Sequence, residues 1–201
     1  MDTNATRFAH AIERFDAANG ADPNRTQFDG RDYPSELLYA IRMSEWLNRL
    51  EPGASEALRL AARSQHIRRW TMPRSQYPMT RAGYYQWRTM LGRFHAEEAG
   101  RILRDVGYDE ATIGRVQSLL RKERLKSDPE TQTLEDVICL VFLENEYVEF
   151  AGRHEDTKVI DILRKTWRKM SPRGREAALA LAPSLPDGPR KLVETAITSD
   201  G

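Results

Sequence analysis

Two histidines and one aspartate are the side chains with which this chain could most readily do chemistry. It has only four histidines, His10, His66, His95 and His154. His66 and His95 each sit in a stretch with helical periodicity, and Asp136 sits in a third, the apolar run LEDVICLVFLE. A metal site needs two or more His, Asp or Glu side chains brought together from different elements. Imidazole and carboxylate donors suit iron, manganese or zinc. An unpaired carboxylate inside an apolar helix is costly, so Asp136 needs a partner: a metal ion, His66 or an arginine. His10, on an amphipathic first helix, reads as structural, and His154 as an exposed residue near a helix start.

Arginines crowd around His66 in the segment RSQHIRRW, which holds Arg63, Arg68 and Arg69, with Arg74 close behind. If one helix runs through the segment, Arg63 and His66 share a face, and Gln65 and Arg69 share another. Guanidinium groups beside an imidazole–carboxylate centre suit a small anion, with phosphate or carboxylate held in bidentate fashion. Arg88, Lys122, Lys158, Arg164 and Lys165 are further candidates for that role. With 31 basic and 30 acidic residues, many of these charges also fit an ordinary salt-bridged surface. The net charge of +1 and the lack of a helix-turn-helix or zinc-finger pattern argue against nucleic acid as the partner.

The elements that must position these groups read as helices almost throughout. Helices are expected at about Thr3–Asn19, from Ser35 (as a cap) past Trp46, from Ser55 to about Trp70, at Arg81–Val106, at Asp109 to about Arg124, and from Asp128–Pro129 through LEDVICLVFLENEYVEF. Shorter ones follow at about 156–169, 172–181 and 188–197. GADPNRTQFDGRDYP reads as a polar loop with Asp-rich turns, and TMPRSQYPM as a second loop. The expected architecture is all-α, a single compact helical domain over 1–201, with 171–201 as a C-terminal helical extension.

At 201 residues, with 40% hydrophobic and 30% charged side chains, the chain suits one globular domain with a heavily solvated surface. No apolar run approaches the ~20 residues that cross a bilayer, and the amphipathic N-terminal segment does not read as a signal peptide. The single cysteine, Cys139, lies in VICLVFL and reads as a small buried hydrophobe. A reducing, cytoplasmic setting is the expectation.

The stretch LRLAARSQHIRRW…RFHAEEAGRIL resembles the core of the HD superfamily of helical metalloproteins, where one helix carries LAALLHDIGK and the next an H…GA.IL pattern. The match departs at its centre, for Gln65 and His66 stand where the superfamily has its His-Asp pair. Tyr39 and Glu123 replace two further ligand histidines. The resemblance implies an HD-like fold and a metal-dependent enzyme, most often a hydrolase of phosphoesters. On that reading His66, His95 and Asp136 hold a divalent metal, and Gln65 and Glu98 orient water. Arg63, Arg69 and Lys122 bind a small anionic substrate. The alternative is a catalytically silent HD-like protein that binds or regulates. The whole chain also resembles a family filed as a domain of unknown function. The blocks are FDAANGADPN, ELLYAIRMSEWL, QHIRRWTMPRSQYPMTRAGYYQWR, LEDVICLVFLE and KVIDILRKTWRKMS. A glutamyl-tRNA-synthetase label attached to some relatives has no support here: there is no HIGH-type motif, and the KMS at 169–171 is a fragment in a helical context.

Overall fold

The most apolar helix, Pro129–Asn145, lies at the centre of the molecule, and its composition explains why. Leu134, Val137, Leu140, Val141 and Leu143 are buried together with Thr131, Glu135, Asp136 and Cys139, so no broad face is left for solvent. These observations come from a computed structural model that describes residues 3–125 and 127–198. The outermost residues of the expected domain, 1–2 and 199–201, and Lys126 lie outside the described residues.

In chain order the helices are α1 (Thr3–Gly20), α2 (Ser35–Leu50), α3 (Glu56–Arg63), α4 (Arg81–Val106), α5 (Glu110–Leu120), α6 (Pro129–Asn145), α7 (Tyr147–Gly152), α8 (Asp156–Lys169), α9 (Pro172–Leu181) and α10 (Asp187–Thr198). Helices α2, α3, α5, α8 and α9 all contact α6, while α1 lies across α2, α3 and α4. Helix α10 packs against α8, so the C-terminal helices join the same hydrophobic core through Ala178 and Ala196. The structure is mostly helical and forms one domain. No described helix is long and apolar enough to cross a membrane.

Several helix ends follow from residues visible in the sequence. Ser55, Thr80, Asp109, Asp128 and Ser171 each accept a backbone N–H from the first turn of the helix that follows. Gly107 ends α4 in the left-handed region at φ 91°, a backbone conformation that residues with a side chain rarely adopt. Ser35, expected as a cap, lies inside α2. The buried carboxylate of Asp22 caps that helix from a distance, accepting the Glu36 N–H at 3.0 Å.

Four expectations are corrected. Part of the polar loop is a short antiparallel hairpin, β1 (Arg25–Phe28) with β2 (Arg31–Pro34). Its turn residues Asp29 and Gly30 have φ of 51° and 71°, the two positive angles a tight hairpin turn requires. The helix expected to Trp70 stops at Arg63, and the one expected to Arg124 stops at Leu120. The last expected long helix breaks at Glu146, leaving α7 separate. The first two of these breaks build the site.

Candidate functional site

Helix α3 ends where a side chain from α1 takes a backbone donor that a further turn would use: Asn19 Oδ1 accepts the Arg68 N–H at 3.0 Å. Arg68 itself adopts a left-handed φ of 52°. Gln65 and His66 therefore sit on an irregular turn, and the helical face-sharing expected of Arg63 with His66 and of Gln65 with Arg69 is absent. Helix α5 ends in a tight backbone cap: the Lys122 N–H reaches the Leu119 carbonyl at 2.9 Å and the Glu123 N–H reaches Ser118 at 3.1 Å. Glycine normally occupies the left-handed position of that cap. Here it is Lys122, at φ 55°, a strained conformation for a side-chain-bearing residue.

Between these two breaks and the α4 segment from Tyr85 to His95 lies a cleft of about 380 Å³. Gln65, His66, Tyr85, Arg88, Arg93, His95, Arg121, Lys122 and Glu123 line it.

The His66 ring is held on both faces. Tyr39 stacks on it with centroids 4.0 Å apart and planes 12° from parallel. Arg69 Nη1 lies 3.3 and 3.4 Å from the two ring nitrogens. A point so close to both nitrogens cannot lie in the ring plane, where Cε1 would be in the way, so the guanidinium sits over a face. Tyr39 fills one face, which leaves the other to Arg69. Burial first, then the charges of Arg69 and Arg88, hold the His66 pKa well below its usual 6.5, so the ring is neutral. Its Nδ1 faces Glu36 Oε2 at 3.3 Å. Burial raises that carboxyl from 4.5 to about 7, partly opposed by Arg69. With the imidazole neutral and the carboxyl raised, this contact is not a full ion pair.

His95 is also neutral, lowered to about 3 chiefly by burial. Its Nδ1 is 2.9 Å from the Ile67 carbonyl. A carbonyl can only accept, so Nδ1 carries the proton and Nε2 keeps a lone pair. That Nε2 is buried without a partner among the described residues, as is Gln65 Oε1. The two imidazole centroids are 5.9 Å apart.

The cleft is electrically positive. Lys122 pairs with the buried carboxylate of Glu135, with Lys169 3.8 Å from its other oxygen. Burial lowers the Lys122 pKa despite this partner, and Arg88 adds to the effect. Glu135 is lowered too: burial would raise it, but Lys122, Lys169 and Arg88 prevail. The Glu135 direction reflects the cations around it, whereas that of Lys122 reflects burial first. Arg88 and Arg93 add to it, since neither has a carboxylate partner among the described residues.

Of the site residues expected from the sequence, Gln65, His66, His95 and Lys122 meet in the cleft, and Arg69 reaches it through His66. The other three lie elsewhere. Arg63 clamps Asp16 with two bonds of 2.7 Å and joins α3 to α1. Glu98 pairs with Arg68 and Arg101, both at 3.3 Å. The Asp136 carboxylate accepts from the Ser171 N–H at 2.8 Å, from Ser171 Oγ and from Gln132 Nε2 at 3.0 Å. Its donors are all protein groups, and it anchors the start of α9. Among the described residues no three His, Cys, Asp or Glu side chains stand where they could hold a metal ion. The expected ligand set is therefore not assembled. Tyr39 and Glu123 do reach His66 and the cleft. Glu36 was missed, although its spacing of three from Tyr39 puts both on the same side of α2. Glu135, one residue before Asp136 on the same apolar helix, carries no separate signal in the sequence, yet it is the buried partner of Lys122.

The sequence profile of one family, described as a domain of unknown function (DUF4202), matches residues 9–193, and the chain belongs to that family. Searches of curated proteins and of solved structures find no match.

Proposed function

We propose that this DUF4202 protein binds a small phosphate- or carboxylate-bearing molecule in the α4–α5 cleft and acts on it by proton transfer through the Glu36–His66 pair. One observation carries the reading: arginines without carboxylate partners among the described residues, and Lys122, line the same cleft as two neutral imidazoles, His95 buried and His66 largely so. Such a site attracts an anion, with exposed guanidinium groups at its rim and neutral imidazoles deeper in. A carboxyl raised to about 7 against an imidazole is suited to exchange a proton near neutral pH. In a hydrolytic step His66 takes a proton from water as its Nδ1 proton passes to the Glu36 carboxylate. The water oxygen bonds to phosphorus or acyl carbon. The leaving group departs with the proton when the pair returns it.

Calorimetric titration with inorganic phosphate, acetate and simple phosphate monoesters tests the binding. Arg88→Ala should weaken it about tenfold. On any monoester that is turned over, His66→Asn should lower kcat by about 10²-fold or more. No binding of any of these anions sinks the proposal, while binding with no turnover of a wide panel favours the binding-protein alternative.

The HD-like, metal-dependent hydrolase is a second reading, favoured by one detail. An imidazole that donates Nδ1–H to a carbonyl and leaves Nε2 bare is oriented as metal-ligating histidines are. Against it, Asp136 is committed to Ser171, and among the described residues no group of three His, Cys, Asp or Glu side chains could hold a metal ion. One or more metal ions per chain, bound by untagged protein and lost in both His66→Ala and His95→Ala, would favour it.

A further inference from the structure

The cleft holds two groups that an anion alone cannot satisfy. Gln65 is 6% exposed and His95 3%, both line the cleft, and Gln65 Oε1 and His95 Nε2 lack partners. Both atoms are acceptors. The protein has fixed this for His95, because its only ring proton is spent on the Ile67 carbonyl. A phosphate or carboxylate oxygen set against either would be repelled. What they lack is a hydrogen-bond donor, and the ligand is the natural source of one.

Such a donor could be a hydroxyl or an ammonium, and the charges decide between them. Arg88, Arg93 and Lys122 share the cleft, and both imidazoles are neutral. An ammonium would meet like charge there, and the carboxylate that lines the cleft, Glu123, is paired with Arg121. A hydroxyl carries the proton without the charge, and its oxygen can also accept from the Gln65 amide. Resting on the anion-binding reading above, we propose that the ligand is a hydroxylated anion, its hydroxyl directed to Gln65 and His95 and its phosphate or carboxylate to Arg88 and Lys122.

The test compares ligands that differ by hydroxyls alone, titrated calorimetrically into the full chain. Glycerol 3-phosphate against propyl phosphate forms one arm, and lactate against propionate the other. The expected result is about tenfold or more tighter binding of the hydroxylated member in at least one arm, which also tells phosphate from carboxylate. His95→Phe and Gln65→Leu should each erase most of that preference while keeping the affinity for the deoxy ligand. Should either variant unfold, nitrogen-detected NMR of the wild-type imidazoles takes its place. The His95 Nε2 resonance should then shift with the hydroxylated ligand and not with its deoxy partner. Equal binding within both pairs, or an Nε2 signal that ignores the hydroxyl, overturns this inference and leaves anion binding standing. Failure of all four ligands and of inorganic phosphate to bind overturns both.

Discussion

Asp136 and His95 are almost equally buried, at 2% and 3% exposed, and both were candidate metal ligands. Their surroundings set them apart. Asp136 accepts three hydrogen bonds from Ser171 and Gln132, and Gly174 packs directly against it. His95 has one bond and one bare nitrogen, in a cleft walled by a turn and a helix end that both place a non-glycine residue at positive φ. The α6–α9 joint is finished by folding, while the cleft is left unfinished by it. Buried polar groups without partners and strained backbone persist where something beyond folding maintains them. Burial and residue type alone could not have separated the two.

The largest effect should come from breaking the finished region. Asp136→Ala strips the partner from the Ser171 N–H, its hydroxyl and Gln132 at once, and should cost on the order of 4 kcal/mol. Its unfolding midpoint in urea should fall sharply, while any ligand affinity measured in the folded range stays unchanged. A variant as stable as wild type would erase the contrast.

Next comes a pH effect on the cleft side. Glu36 is raised from 4.5 to about 7, so its ionisation opposes the native state. Its share of stability is fully present below pH 4.5 and is lost as pH rises to 7, about 3 kcal/mol in all. His95 works the other way. Its pKa falls from 6.5 to about 3, so the unfolded chain binds a proton that the native state refuses, and stability is lost as pH drops below 6.5. Glu36→Gln should therefore gain on wild type progressively between pH 4.5 and 7 and hold that gain above. Parallel stability curves for the two proteins would contradict the burial argument.

Gly174→Ala sharpens the comparison at smaller scale. A Cβ there would stand 2.5–2.9 Å from the Asp136 carboxyl atoms, so the carboxylate or α9 must shift, at a cost of about 2 kcal/mol. Thermal melts should show the loss in the Gly174→Ala single variant and a much smaller one when Asp136 is already alanine.

Much of the fold was legible because helices announce their ends locally. Thr80, Gly107, Asp109 and Asp128 marked boundaries that the backbone obeys. The misses share a cause. Helix α3 stops at Arg63 through Asn19, a residue far away in the chain, and α5 stops with lysine where a glycine would have signalled the end. Part of the candidate cleft was legible: Gln65, His66, His95 and Lys122, singled out by their side-chain chemistry, line it together. Arg63, Glu98 and Asp136 lie away from the cleft because their partners, Asp16, Arg68 and Ser171, come from other elements, and spacing along one helix says nothing of them.

The smallest effect on stability should come from the most interesting substitution. His95→Phe removes the bond to the Ile67 carbonyl, which favours wild type by about 1 kcal/mol, and leaves that carbonyl without this donor. It also removes a bare buried nitrogen and adds apolar surface beside Phe94 and His66, which favours the variant by a comparable amount. The two nearly cancel, so urea unfolding at pH 7 should differ from wild type by less than about 1 kcal/mol. Below pH 6.5 the variant should even pull ahead, since it has no imidazole to protonate on unfolding. A loss as large as that of Asp136→Ala would mean His95 is part of the finished scaffold. Near-neutral stability would mean the chain keeps a histidine there for what its Nε2 can hold.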